Sequence, residues 1–142
     1  MPIVAFDHAA IPTAQPEAMI AFYEKLGFTP VHVQDWRDGK SRAFALAFGN
    51  NKINVHPPEV WQDPRFTLRG PSALPGCGDF CFVWDGSLEE ARETLARAGA
   101  EVIEGPVPRE GGRGLSSVTG TSLYTRDPEG NLLEFMVYGM SP

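Results

Sequence analysis

Tyr124-Thr125-Arg126-Asp127-Pro128-Glu129-Gly130-Asn131-Leu132-Leu133-Glu134-Phe135-Met136-Val137-Tyr138 reads as strand, turn and strand. Asp127-Pro128-Glu129-Gly130 is the turn, because proline presets the backbone at its second position and glycine accepts the conformation that closes it. In the strand that follows, alternation puts Leu132, Glu134 and Met136 on one face and Leu133, Phe135 and Val137 on the other. The carboxylate of Glu134 therefore points away from the residues expected to pack beneath a helix.

Working back from this strand, one unit of structure appears twice. In the second half, Gly78 to Trp84 reads as a strand, and Ser87 with Glu90 forms a capping box ahead of Leu88, Ala91, Leu95 and Ala98. Gly99 ends that helix, a strand begins at Ala100, and a glycine-rich loop is expected over 105–120 before the strand Thr121 to Arg126. In the first half, Pro2 to Ile11 reads as a strand and Pro16 opens a helix carrying Met19, Phe22, Tyr23 and Leu26 at helical spacing. Gly27 caps this helix, and strands are expected over 28–34, 41–48 and 52–56. The proline-rich stretch 57–76 reads as a crossing loop. The expected fold is α+β, with two βαβββ modules, 1–60 and 77–142, in a single domain. Ile11, Phe22, Leu26, Phe44, Phe80, Phe82, Leu95 and Phe135 are its expected core.

The repeat also places ligand-type residues. His8 precedes Gly27 by almost the distance at which Asp79 precedes Gly99, while His56 ends the last strand of module one and Glu134 lies within the last strand of module two. A pseudo-two-fold arrangement of the modules would bring all four together. Asn54 and His56 share a face opposite Ile53 and Val55, and Asp79 and Cys81 share a face opposite Phe80, Phe82 and Trp84. Two imidazoles and a carboxylate suit Ni(II), Co(II), Mn(II), Zn(II) or Fe(II), so His8, His56 and Glu134 are candidate ligands of one divalent metal per chain. Asp79 is either a fourth ligand or an acceptor that orients an imidazole.

Composition narrows the function classes. The chain has 142 residues and a formal charge of −6, with basic residues scattered, which disfavours a nucleic-acid groove. No apolar run reaches the ~20 residues that span a bilayer, and the N-terminus lacks a charged region ahead of an apolar one, so the cytoplasm is the expected location. Cys77 and Cys81 are too few for a thiolate zinc site and, in one extended strand, too far apart for a disulfide; both are expected to be reduced.

The opening Phe6-Asp7-His8, the helix end Phe22-Tyr23-Glu24-Lys25-Leu26-Gly27-Phe28 and the ending Tyr124 to Glu134 resemble the vicinal-oxygen-chelate superfamily of glyoxalases, bleomycin-resistance proteins and dioxygenases. The resemblance covers essentially the whole chain. Within it, Phe48-Gly49-Asn50-Asn51-Lys52-Ile53-Asn54-Val55-His56 and Glu104-Gly105-Pro106-Val107-Pro108-Arg109 are similar to glyoxalase-domain-containing and virulence-associated glyoxalase-like proteins. This implies a metal held by His8, His56, Asp79 and Glu134, a small-molecule substrate, and usually a homodimer. Two positions depart from the familiar pattern: the third ligand is commonly His where Asp79 stands, and the second is Glu in typical bacterial glyoxalase I where His56 stands.

The resemblance points first to a glyoxalase I-like lyase or isomerase acting on a thiol adduct, with Glu134 moving the proton. An extradiol-type ring-cleaving dioxygenase and a protein that sequesters an antibiotic are the alternatives. Tyr124, sharing a strand face with Ser122, either lines the site or packs against its neighbours. Trp36 and Trp61 could wall a pocket, and Arg37, Arg42, Arg109 and Arg113 either meet an anionic substrate or are solvated. Gly111-Gly112-Arg113-Gly114 is read as a lid. His32 is expected on a strand and exposed.

Overall fold

The computed structural model describes residues 2–139 and divides the chain into two compact units, Met1–Cys77 and Gly78–Pro142. The first contains β1 (His8–Pro12), α1 (Pro16–Lys25), β2 (Thr29–Val31), α2 (Val33–Arg37), β3 (Phe44–Phe48), β4 (Asn51–His56) and α3 (Pro58–Trp61). The second contains β5 (Asp79–Val83), α4 (Leu88–Arg97), β6 (Glu104–Glu110), β7 (Thr119–Arg126) and β8 (Leu132–Tyr138). Each unit builds one four-stranded sheet, in the orders β1-β4-β3-β2 and β5-β8-β7-β6. In both, the first strand runs parallel to the last and the remaining pairs are antiparallel. The doubled βαβββ order is thus present.

In the first unit, Pro16 starts α1 and Gly27 follows its end with φ 102°, the left-handed conformation that glycine adopts without steric cost. Tyr23 is fully buried, its ring set edge-on between Phe22 and Phe28 at 5.3 and 5.0 Å. Ile53, Val55 and Leu46 complete this core from the sheet.

In the second unit, Ser87 Oγ accepts the Glu90 amide at 3.1 Å, which satisfies an otherwise orphaned N–H of α4. Ala91 and Leu95 are buried, and the Phe82 and Phe135 rings meet at 5.5 Å. Of the expected core residues, Phe80 alone is half-buried and the other seven are buried.

Four local expectations are corrected. Regular pairing begins at His8, so 2–7 is not strand. The strand expected over 28–34 stops at Val31, on the edge of its sheet, and His32 turns the chain with φ 62° into α2. His32 is exposed as expected, but as the residue that caps a helix. A short helix, α3, interrupts the crossing loop just after His56. The loop expected over 105–120 shrinks, because Glu104–Glu110 pairs with β7; an edge strand tolerates Pro106 and Pro108, whose missing N–H groups need no second partner.

Candidate metal centre

The turn quoted first determines the geometry of the second unit's site. Asp127 Oδ1 accepts the amides of Glu129 and Asn131 at 2.9 and 3.0 Å, and its other oxygen accepts the Asn131 side-chain amide at 2.8 Å. The Asn131 carbonyl oxygen in turn accepts the Gly78 amide at 2.7 Å, which ties the approach to β5 to the approach to β8. A Cβ on Gly78 would stand 2.8 Å from that same oxygen, so glycine is required where the two segments meet.

This tie sets the register Asp79 to Leu132, Cys81 to Glu134 and Phe82 to Phe135. On its other side Glu134 stands opposite Tyr124 of β7. Cys81, Glu134 and Tyr124 therefore form one row across three strands, on a single face of the sheet.

Glu134 is half-buried and surrounded by donors. Ser122, fully buried on β7, donates its hydroxyl to Oε2 at 2.6 Å. The Cys81 thiol and Tyr124 hydroxyl also stand beside the carboxylate and feel its charge. Desolvation of the sulfur, reinforced by the adjoining negative charge of Glu134, pushes the Cys81 thiol up to about 12. Desolvation likewise raises Tyr124 against the opposing pull of Arg109. Arg109 donates Nε to the Tyr124 hydroxyl at 3.1 Å, its guanidinium 5.6 Å from the ring centre. The fit of β6 against Ser122 requires Gly105 (φ 107°), where a Cβ would run into the Ser122 carbonyl.

In the first unit, β1 and β4 pair His8 with Lys52, Ala10 with Asn54 and Pro12 with His56. His8 is exposed, and its Nδ1 lies 2.6 Å from the Asp7 carboxylate, which leaves Nε2 as the ring's second donor atom. His56 is half-buried with the Phe66 ring edge-on at 5.2 Å. Burial, then the positive charge of Arg69, lowers its pKa from the usual value and favours the neutral imidazole that a metal requires. Arg69 is held in place by donating to the carbonyls of Trp61 and Ala73, so the crossing loop has an electrostatic role.

The registers revise one sequence argument. Glu134 stands one same-face step beyond the partner of Asp79, whereas His56 stands two such steps beyond the partner of His8. The counterpart of Glu134 in the first unit is Asn54, and the spacing of candidate residues along the chain had concealed it.

The remaining site candidates are placed as follows. Trp36 lies on α2, donates its indole N–H to Glu59 at 2.7 Å and packs on Phe44 at 5.1 Å, contacts that fasten α2 to its own unit. Arg113 lies in the β6–β7 connection, 4.2 Å above the Tyr138 ring, at the end of the strand carrying Glu134. Both cysteines are free. Ser122 and Cys81 as neighbours of Glu134, and Arg109 as the partner of Tyr124, do not follow from the sequence reading. The strand faces did signal Ser122 and Cys81, but Arg109 reaches Tyr124 from a segment read as loop.

Among the described residues, no three His, Cys, Asp or Glu side chains are gathered into a group that could hold a metal ion. Taken unit by unit, His56 presents an imidazole whose neutral form is favoured and Glu134 presents a carboxylate, both donor types that divalent ions accept. Among the described residues no helix is long and apolar enough to cross a membrane.

Comparison with known proteins supplies the family context. The sequence profile of the family described as Glyoxalase/Bleomycin resistance protein/Dioxygenase superfamily matches residues 5–135. The chain is 34% identical over 139 residues to virulence protein STM3117 of Salmonella typhimurium, covering 97% of this chain and 87% of that one. The crystal structure of that protein aligns with a TM-score of 0.80 over 97% of this chain and 99% of its own. Glyoxalase domain-containing protein RDO1 of Mycosarcoma maydis is 35% identical over 134 residues, 94% of this chain and 68% of its own. A structure from the mobile metagenome of V. Pseudocholerae, VPC_CASS1, aligns at 34% identity and a TM-score of 0.81, covering 99% of this chain and 98% of that one.

Proposed function

The chain belongs to the Glyoxalase/Bleomycin resistance protein/Dioxygenase superfamily, and from that premise we propose that it is a divalent-metal enzyme of the glyoxalase I type. Its substrate would be a small molecule such as a thiol adduct of a 2-oxoaldehyde. The name of the relative RDO1 points the same way. The observation that carries the reading is the setting of Glu134, a half-buried carboxylate with Ser122 bonded to one oxygen and Cys81 and Tyr124 beside it.

The proposed ligands are His8, His56, Asp79 and Glu134. At β4 the imidazole of His56 is preferred to the amide of Asn54, because a transition ion binds imidazole nitrogen more strongly than a neutral amide oxygen. When bound, the ion supplies polarisation of a substrate carbonyl and stabilises the negative charge that develops there.

The remaining chemistry belongs to the side chains. Ser122 fixes the plane of the Glu134 carboxylate and occupies Oε2, leaving Oε1 as the oxygen free to exchange partners. Glu134 takes a carbon-bound proton from one substrate carbon and returns it to the adjacent one. Tyr124, steadied by Arg109, borders this proton path, and Arg113 at the end of the same strand is a substrate contact. Trp36 would serve only indirectly, by holding α2. We further propose a homodimer, since β1, β2, β5 and β6 are the edge strands of their sheets and present unpaired backbone groups.

The test is turnover of methylglyoxal with glutathione, then other small thiols, with Ni(II), Co(II), Mn(II) and Zn(II) in turn. Glu134→Gln should lose more activity than its loss of metal explains, because an amide cannot carry the proton. No turnover under any combination would reject the glyoxalase reading. Oxygen uptake with a catechol and Fe(II) would then identify a dioxygenase, and tight drug binding by metal-free protein would identify sequestration.

A further inference from the structure

Lys52, Asn54 and His56 alternate with the buried Ile53 and Val55, so all three emerge on one face of β4. Opposite Asn54 stands Ala45, and with Ala43 it provides a floor without bulk. The result is a hollow of about 200 Å³, walled on its far side by Val31 and His32.

The charge of this hollow is unusual for the chain. The protein has 18 acidic and 12 basic residues, yet among the described residues no Asp or Glu lines it. His32 faces Asp35 at 3.7 Å, and Lys52, the cation that lines the hollow, enters no ion pair among the described residues. Arg69 adds a fixed positive charge beside His56. The larger cavity of this unit, about 490 Å³, differs in kind: Glu24 and Asp35 line it, and its Arg37 is already bound to Glu17 at 2.6 and 3.0 Å.

We propose that this hollow binds the anionic end of the substrate, a carboxylate or phosphate-type group. Lys52 supplies the charge, and Asn54 and His56 supply N–H donors. The donor set matches an oxyanion: an ammonium, an amide NH₂ and an imidazole N–H, on a rigid strand at spacings set by the pleat. His56 serves both roles without conflict, because an imidazole that coordinates through one nitrogen still donates from the other. The term substrate rests on the enzyme reading above; the anion site itself does not.

The experiment follows the His56 ring and Asn54 side-chain amide signals by NMR while inorganic phosphate or acetate is added at constant ionic strength. Sodium chloride is the control. Phosphate, acetate or both should shift these signals saturably, and Lys52→Gln should weaken binding by about tenfold or more. Arg37→Gln, which removes a cation on the other cavity, should leave it unchanged. Phosphate alone would indicate a phosphate-type end, and acetate alone a carboxylate. No shift beyond chloride, or wild-type binding by Lys52→Gln, overturns the proposal. Metal content on the same samples separates the two readings. Metal bound with no anion response sinks this site alone, and an anion response with no metal bound sinks the enzyme reading alone.

Discussion

Ser122, wholly buried on β7, donates its hydroxyl to Oε2 of Glu134 at 2.6 Å, and so fixes the carboxylate that the proposed chemistry requires. Ser122→Ala removes this bond and little volume. The expected outcome is a folded protein whose metal affinity falls roughly 10–100-fold, the usual cost of removing a group that orients a ligand. Competition with a metal-sensitive dye measures it. Unchanged affinity would leave Ser122 no part in positioning Glu134.

His56 and Asn54 are separated by the same method. His56→Ala should empty the metal site, whereas Asn54→Ala should retain metal and lose anion binding. The reverse result would make Asn54, the register counterpart of Glu134, the ligand on β4.

The pH behaviour of His56 has a definite sign. Its folded pKa lies below the ordinary histidine value of 6.5, so the folded state binds fewer protons there than the unfolded state. Its contribution to stability is present above the unfolded value and is lost as pH falls through the folded one. NMR titration of metal-free protein should place the midpoint below 6.5, and Arg69→Gln should raise it. A midpoint at or above 6.5 would contradict both the burial and the Arg69 effect.

Cys81 gives a reactivity test. A thiol pushed up to about 12 from 9.0 carries roughly a thousandfold less thiolate at pH 8, the form that alkylates. Iodoacetamide should therefore spare Cys81 in metal-free protein and modify it after unfolding. Glu134→Gln, which removes the adjoining charge, should speed the reaction. Rapid modification of the native thiol would show that it is not held beside the carboxylate.

The register tie supplies a stability test. Asn131→Ala removes the acceptor of the Gly78 amide and the side-chain donor to Asp127 Oδ2, and should cost about 1–3 kcal/mol. Denaturant unfolding measures it. A change below ~0.5 kcal/mol would mean that the network contributes little beyond the turn itself.

Most of the fold was legible because its signals are local. Pro16, Gly27, the Ser87–Glu90 cap and the Asp127–Gly130 turn each act within a few residues, and alternation along β4 and β8 gave the faces directly. What failed depended on neighbours. The end of β2 at Val31 and the pairing of proline-bearing β6 are settled by edge positions in sheets, which no window of sequence contains. The candidate site divides in the same way. Glu134 was found from its own strand, whereas its bond to Ser122, its place opposite Cys81 and the standing of Asn54 depend on cross-strand register. That register is fixed by Asn131 and Gly78, which are far apart in the chain.

The Asp127–Asn131–Gly78 tie lies at the mouth of β5 and β8 and uses none of the side chains in the row Cys81, Glu134 and Tyr124. Alignment of the strands is thus independent of what the strands display. Residues in the row can be exchanged one at a time without disturbing the frame that aims them, which makes this face a site for redesign. New reactivity could be installed at Cys81 or Tyr124 while the turn keeps every neighbour in place.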